Sequence, residues 1–162
     1  MSVRRKASGV RRAKAAPALD ALRLPPASRL TPLRFECTGC GNCCTGNPRD
    51  YWVEVSKAEQ QRIARHLGIS LRWLRRRYVL RERDGDGLSM KGGACIFLDG
   101  ARCRIYAARP AQCRSYPFWP ELLEDPAAWR AEAKRCEGIG RGNAVPATQV
   151  IAILRRGNRT KR

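Results

Sequence analysis

Four cysteines fall within eight residues of this chain, and this run constrains the fold more than any other feature. Cys37, Cys40, Cys43 and Cys44 have the spacing C-x2-C-x2-C-C. Thiolates are soft ligands, and a C-x2-C spacing lets two of them reach one metal from a tight turn. The glycines between the cysteines allow the positive φ angles that such a turn needs. We therefore expect a metal site built on this run, which we call the knuckle (residues 37–44).

Four further cysteines follow in the second half of the chain, and they are Cys95, Cys103, Cys113 and Cys136. The knuckle begins like the C-x2-C-x2-C run of bacterial ferredoxins, but Cys44 interrupts the x3-C-P continuation. A fourth ligand must therefore come from a distant cysteine, and Cys113 or Cys136 would serve. Because neighbouring side chains diverge, we expect one of Cys43 and Cys44 to serve a second site, a different iron of a cluster or a redox role. All eight cysteines are predicted metal ligands.

The type of metal follows less directly from the ligands. His66 is the single histidine, and its predicted place near a helix C-terminus favours a structural role, since an imidazolium there complements the helix dipole. An all-sulfur ligand set suits structural zinc and iron–sulfur clusters alike. Eight thiols and a ferredoxin-like start favour an iron–sulfur cluster, although two zinc ions would use the same eight ligands.

The net charge of +19 is concentrated at the two ends of the chain. Residues 1–34 carry +8 and residues 155–162 carry +5, which leaves +6 for residues 35–154. We predict disordered basic tails around one folded domain at 35–154. Such tails bind nucleic-acid phosphates without sequence preference, but they can equally be solvated, and the first resembles an organelle transit peptide in composition. No stretch is apolar enough for a signal peptide or a membrane span, which favours a cytoplasmic protein.

The pattern of apolar residues and turn signals predicts an α+β domain of short helices and a β-hairpin around the metal centre. A capping box at Ser56 and Glu59 predicts the start of the first helix. The predicted elements are a strand at 51–55, helices at 57–67, 71–79, 125–134 and 147–155, a turn at 84–87, hairpin strands at 95–98 and 102–106, a helical turn from 109 and a glycine loop at 138–142. The hairpin turn at Asp99-Gly100 would bring Cys95 and Cys103 close together.

These motifs, in this order, resemble the CxxCxxCC family of small bacterial proteins, which are described as zinc- or iron-chelating. The resemblance covers about residues 35–142 and leaves both basic tails outside. It rests on Phe35-x-Cys37-x2-Cys40-x2-Cys43-Cys44, Ser56-x2-Glu59, Leu67-Gly68-Ile69-Ser70, Cys95-x-Phe97-Leu98-x4-Cys103-x-Ile105-Tyr106-x2-Arg109-Pro110-x2-Cys113-Arg114-x-Tyr116-Pro117 and Cys136-x-Gly138-Ile139-Gly140-x-Gly142. It implies a cysteine-ligated metal centre without a defined reaction.

Three functions are compatible with the sequence. The first is a metal-binding protein whose iron–sulfur cluster or zinc stabilises the fold. The second is a nucleic-acid-associated protein with structural zinc and phosphate-binding tails. The third is a modifying or redox enzyme that uses the cluster. Arg109 and Arg114 are either hydrogen-bond donors that lower thiolate pKa values around the centre or ordinary surface and packing arginines.

Overall fold

The structure is a computed structural model, and it describes residues 33–46, 53–82 and 85–159. Its fold is α+β, as predicted. The helices are α1 (Lys57–His66), α2 (Leu71–Tyr78), α3 (Ala111–Ser115), α4 (Pro120–Glu124), α5 (Pro126–Arg135) and α6 (Ala147–Arg159). The strands are β1 (Arg34–Phe35), β2 (Val79–Glu82), β3 (Gly85–Leu88), β4 (Met90–Lys91), β5 (Ala94–Cys95), β6 (Leu98–Asp99), β7 (Arg102–Cys103) and β8 (Ile139–Ala144). Two of the described residues outside these elements, Thr45 and Glu54, form isolated β-bridges.

Helix α1 begins with the predicted capping box. The Ser56 hydroxyl accepts the backbone N–H of Glu59 at 3.3 Å, and the Glu59 carboxylate accepts the backbone N–H of Ser56 at 2.9 Å. Two N–H groups that the first helical turn would leave unpaired are thus satisfied. The helix ends before Gly68, whose φ of 65° suits glycine. Ile63 is fully buried on its inner face, so the prediction for this helix is confirmed.

Helix α2 follows two residues after this glycine and leads directly into a hairpin. The Ser70 hydroxyl accepts the backbone N–H of Trp73 at 3.2 Å, which caps the helix. Strand β2 pairs with β3, and Val79 faces Leu88. The predicted turn at 84–87 is wrong for residues 85–87, because pairing with β2 and burial of Leu88 hold them extended. Asp84 lies outside the described residues.

The predicted hairpin around Asp99 is shorter than expected. Strands β6 and β7 pair through Leu98 and Cys103, with a turn at Gly100. Cys95 belongs to a separate hairpin, in which β5 pairs with β4 and Cys95 faces Met90. The predicted pairing of 95–98 with 102–106 is confirmed at Leu98 and Cys103 but wrong for Cys95, because the chain turns at residues 96–97 and ends the first strand there.

The two ends of the described chain meet in a small sheet. Strand β1 pairs antiparallel with β8, and Phe35 faces Ile139. We expected a glycine loop at 138–142, but residues 139–144 form β8. The pairing shifts register between Arg34 and Phe35, and the positive φ angles of Gly140 and Gly142 accompany this irregular strand. This sheet joins the segment before the knuckle to the segment after α5.

Two hydrophobic clusters hold these elements together. The main cluster is centred on fully buried side chains of α1, α2 and the hairpin region, among them Ile63, Leu74 and Phe97. A smaller cluster packs Phe118 against Val150 and Leu154 of α6. Cysteines are part of the main cluster only, and they are Cys95 at its core with Cys44, Cys103 and Cys113 packed against it.

Several predictions fall partly outside the described residues. For the strand at 51–55, only residues 53–55 are described, and Glu54 forms an isolated antiparallel bridge with Gly87. The predicted N-terminal tail lies almost wholly outside. Helix α6 continues to Arg159, four residues beyond its predicted end. The helix predicted at 125–134 corresponds to α5, which follows Asp125 as its N-cap.

Candidate metal centre

The backbone of the knuckle is compact, and its conformation at Gly41 requires glycine. Residues Asn42–Cys44 form a 310 turn, closed by a hydrogen bond of 2.9 Å from the Cys44 N–H to the Gly41 carbonyl. Gly41 has a φ of 77°, and a Cβ placed there would lie 3.0 Å from the carbonyl oxygen of Ala101. Both the conformation and the close approach require glycine. The knuckle is therefore pressed against the β6–β7 turn.

The end of the knuckle docks on the neighbouring hairpin. The N–H of Gly46 donates to the Gly93 carbonyl at 2.9 Å, and Thr45 forms an isolated antiparallel bridge with Ala94. Ala94 is the residue before Cys95. The two hairpins thus deliver Cys95 and Cys103 to the knuckle through backbone contacts.

A side-chain clamp attaches the end of α5 to the same turn. The Asn42 amide donates to the Arg135 carbonyl at 2.6 Å, and the Arg135 guanidinium donates to the Thr45 carbonyl at 3.0 Å. Arg135 also pairs with Glu132 at 3.2 Å, one helical turn earlier. Cys136 follows Arg135 directly, so this clamp brings the last cysteine to the knuckle.

A second contact tightens the same junction. The N–H of Glu36 donates to the Gly138 carbonyl at 3.1 Å. A Cβ on Gly138 would lie only 2.3 Å from the carbonyl oxygen of Glu36, a distance that the backbones could not keep. The segments that carry Cys37 and Cys136 therefore run side by side.

Five thiols interact with one another and form what we call the inner group, namely Cys43, Cys44, Cys95, Cys103 and Cys113. The sulfurs of Cys43 and Cys44 are 4.0 Å apart. We expected these adjacent side chains to diverge, but in the 310 turn they converge. Cys136, the last of the four cysteines outside the knuckle, contacts the hydroxyl of Tyr116.

Hydrogen bonding divides the inner thiols into a donor and two acceptors. Hydrogen bonds with Cys103 and then Cys43 raise the pKa of Cys44 far above its ordinary value. Hydrogen bonding from Cys44 lowers the pKa of Cys103 to about 6 and that of Cys43 to about 7. A thiol carries one proton, so Cys44 donates to one of these two sulfurs at a time. The group therefore places thiolate character on Cys43 and Cys103.

Burial governs the other two inner thiols. It raises the pKa of Cys95, which is 7% exposed, and that of Cys113. Charged thiolates at these places would need a cation to offset the loss of hydration. Backbone N–H groups two residues onward hydrogen-bond to Cys95 and Cys103, from Phe97 and Ile105 respectively. Both hairpin cysteines thus share one local motif.

The other three thiols, the outer cysteines, are Cys37, Cys40 and Cys136. Cys37 is exposed, and its hydrogen bond to Tyr106 raises the pKa of that phenol. Cys136 is buried against the hydroxyl of Tyr116, which donates to the Glu132 carboxylate at 2.7 Å. Burial, followed by these two hydrogen bonds, raises the pKa of Tyr116. Cys37 and Cys136 are therefore each hydrogen-bonded to a tyrosine side chain.

Arg109 supplies positive charge to the inner group. Its guanidinium carbon lies 3.6 Å above the Tyr106 ring, and its Nε donates to the Tyr106 carbonyl at 3.0 Å. This charge is a lesser contribution to the lowered pKa values of Cys43 and Cys103. Arg114 plays a different part, because its guanidinium donates to the Arg109 carbonyl. Burial lowers the pKa of Arg114.

Helix α1 contributes to the centre through its buried acid. Glu59 is 4% exposed, and its second carboxylate oxygen accepts the backbone N–H of Ala111 at 2.7 Å. Ala111 starts α3, which carries Cys113, so the capping glutamate also positions a cysteine helix. The single histidine approaches a backbone carbonyl, with His66 Nε2 at 3.3 Å from the oxygen of Arg104.

Several residues of this region were not predicted, namely Asn42, Tyr106, Tyr116, Glu132 and Arg135. Their contacts join positions up to 93 residues apart, and such long-range pairs leave no periodic or local signal. Local indications existed for three of them, since Asn42 lies inside the knuckle and Tyr106 and Tyr116 belong to the motifs that carry the family resemblance. Only the fold assigns these residues their roles.

The inner group consists of thiols, which bind metal as thiolates, and one sulfur–sulfur distance within it is close to that of a metal site. Two sulfurs bound to one tetrahedral ion at about 2.3 Å lie about 3.8 Å apart, close to the 4.0 Å between Cys43 and Cys44. Within the described ranges, no three or more His, Cys, Asp or Glu side chains are already arranged to hold a metal ion. The Cys43–Cys44 pair is therefore the part of the inner group whose geometry suits a single ion.

Comparison with known families identifies the family of the chain. Residues 36–137 match the CxxCxxCC family model, which describes a candidate zinc- or iron-chelating domain. The chain belongs to the CxxCxxCC family. The match runs from the residue before Cys37 to the residue after Cys136, so it includes every cysteine of this CxxCxxCC protein. No solved structure matches it.

The helices of the structure bear on the prediction that no stretch of the chain spans a membrane. None of the helices among the described residues combines the length and apolar character needed to cross a membrane.

Proposed function

We propose that this CxxCxxCC protein holds an iron–sulfur cluster on the thiols of the inner group, and that the bound centre stabilises the fold. The convergence of Cys43, Cys44, Cys95, Cys103 and Cys113 supports the proposal. One zinc ion takes four ligands in a structural site, whereas five inner and three outer thiols exceed that number.

The surroundings of the inner group also suit a cluster. The reduction potential of a cluster depends on hydrogen bonds to its sulfurs and on local charge. Here the N–H groups of Phe97 and Ile105 point at Cys95 and Cys103. Arg109 adds a positive charge nearby, and contact with Tyr106 holds its guanidinium in place. These groups would partly balance the negative charge of several thiolates.

The outer cysteines complete the proposed eight-thiol set. Cys37, Cys40 and Cys136 lie on segments joined by the contact between Glu36 and Gly138 and by the Asn42–Arg135 clamp. We assign them a supporting place at the rim of the centre, where they ligate or orient the inner set. The contacts of Cys37 and Cys136 with tyrosine would have to be exchanged for metal if they ligate directly.

Zinc is the second candidate, and the Cys43–Cys44 distance is the observation that favours it. A separation of 4.0 Å suits two ligands of one tetrahedral ion. In this form the inner group would supply four thiolates to a structural zinc ion and leave a fifth thiol beside it.

Anaerobic purification followed by elemental analysis and visible absorption spectroscopy tests both candidates. An iron–sulfur cluster gives iron, acid-labile sulfide and a broad thiolate-to-iron absorption band. Zinc gives a colourless protein with about one or two ions per chain. A protein that contains neither metal after anaerobic isolation, and takes up neither on reconstitution, would refute the proposal.

A further inference from the structure

A groove rich in arginine lies between α2 and the β2–β3 hairpin. It has a volume of about 610 Å³ and is open to solvent. The residues that line it are Leu71, Arg72, Arg75, Arg76, Val79, Arg81 and Asp86. None of the eight cysteines lines this groove. Among the described residues that line it, four arginines face a single acid, so this lining carries an excess of positive charge.

A buried amide positions part of this charge. Gln60 is 0% exposed, and its Nε2 donates to the Val55 carbonyl at 3.1 Å and to the Asp86 carboxylate at 2.7 Å. Its Oε1 accepts the Nε of Arg75 at 2.8 Å. Asp86 in turn lies 3.5 Å from the Nε of Arg81. Two groove arginines are therefore attached, directly or through Asp86, to a fixed side chain of α1.

The other two arginines of the groove, Arg72 and Arg76, lie where their positive charges repel each other. Arg72 and Arg76 are four residues apart on α2, and Arg75 lies between them on the same face. Like charges at such spacing destabilise a helix, and α2 contains no acid to offset them. The helix dipole favours Arg75 and Arg76 in the last turn but disfavours Arg72 in the first. A bound polyanion would remove this repulsion.

The lining also indicates the kind of polyanion. Guanidinium groups bind phosphate oxygens in a planar, two-pronged manner. Among the described residues that line the groove, the apolar ones are the aliphatic Leu71 and Val79, and none is an aromatic residue on which a base could stack. We propose that this groove binds the phosphodiester backbone of a nucleic acid, without reading its bases.

Salt-dependent binding of the full-length, metal-containing protein tests the proposal. The variant carries Arg72→Gln and Arg76→Gln, both at exposed positions. The matched control carries Arg130→Gln and Lys134→Gln, two exposed cations with the same spacing on α5. Affinity for single-stranded DNA and RNA of equal length is measured from about 50 to 200 mM salt.

The slope of log affinity against log salt is negative, and loss of two phosphate contacts should make it less negative by about 1.4, at about 0.7 for each contact on a single strand. The control should keep the slope of the unaltered protein. Equal changes in both double variants would show a general charge effect and overturn the proposal, as would an unchanged slope in the groove variant. Arg77→Gln, on α2 but outside the groove, should also leave the slope unchanged.

Competition distinguishes the source of the anion. Polyglutamate of the same length should displace the oligonucleotides only at much higher concentration, because carboxylates lack the phosphodiester geometry. Equal competition would assign the groove to an acidic polypeptide instead and overturn the nucleic-acid assignment. Similar groove-dependent losses for DNA and RNA indicate recognition of the shared backbone, whereas a loss confined to RNA would indicate that the ribose hydroxyl contributes.

Discussion

The inner and outer cysteines share one motif in the sequence but have different surroundings in the fold. The inner thiols interact with one another, and all of them except Cys43 belong to or pack against the main hydrophobic cluster. Two of them, Cys95 and Cys103, also accept backbone N–H groups. Among the outer cysteines, Cys37 is exposed and hydrogen-bonded to Tyr106, and Cys136 is buried against Tyr116. Membership of one sequence motif therefore does not give every cysteine the same surroundings, and four experiments probe the division.

The largest expected difference is in metal content. Cys103→Ser removes a thiolate at the middle of the inner group, and we expect the purified protein to lose essentially all of its metal. Cys37→Ser should keep the metal but bind it about 10- to 100-fold more weakly, as supporting groups around a centre do. Competition with a chelator, read by elemental analysis, gives both values. Equal retention by the two variants would contradict the division into inner and outer cysteines.

Metal removal should affect the two hydrophobic clusters unequally. A ligand present at about 1,000 times its dissociation constant contributes about 4 kcal/mol to stability, and metal removal withdraws that contribution from the region it holds. We expect amide exchange at Phe97 and Ile105 to accelerate strongly in metal-free protein. Exchange at Val150 and Leu154, in the smaller cluster, should change much less. Uniform acceleration would instead indicate that one cooperative unit unfolds.

Gly138→Ala should disrupt the contact between Glu36 and Gly138, which joins the segments of Cys37 and Cys136, without removing the inner group. The added Cβ would meet the Glu36 carbonyl oxygen at 2.3 Å, and such overpacking costs about 1–3 kcal/mol. Gly140→Ala is the control, since its Cβ meets nothing within 4 Å and only the φ of 88° opposes it. Chemical denaturation should show the larger loss of stability for Gly138→Ala, with metal still bound. Complete loss of metal from Gly138→Ala would show that metal binding itself depends on the contact between Glu36 and Gly138.

Ser56→Ala should have the smallest effect. Loss of the N-cap of α1 costs about 1 kcal/mol, and Glu59 keeps its bond to the Ala111 N–H. Metal content should therefore stay unchanged while the denaturation midpoint falls slightly. Glu59→Gln provides the contrast, because it weakens a charge-assisted bond at the start of α3. An equal effect of both substitutions would show that only the cap matters.

Local rules in the sequence predicted four of the six described helices, namely α1, α2, α5 and α6, and a helical turn near α3, whereas α4 was not predicted. The capping box at Ser56, the serine before α2 and the Asp125-Pro126 start of α5 all act within one turn of chain. Strand pairing was predicted less well. Cys95 faces Met90 rather than the β7 strand, because short strands are bounded by tertiary contacts and not by propensity.

The sequence by itself determined the α+β class, the helix starts and the membership of all eight cysteines in one domain-sized region, since capping and ligand chemistry are local properties of residues. Only the tertiary structure decided which thiols meet. The choice depends on close backbone approaches at Gly41 and Gly138 and on the Asn42–Arg135 clamp. These contacts join segments that are distant in the chain, and their free energy exists only after the intervening residues have folded.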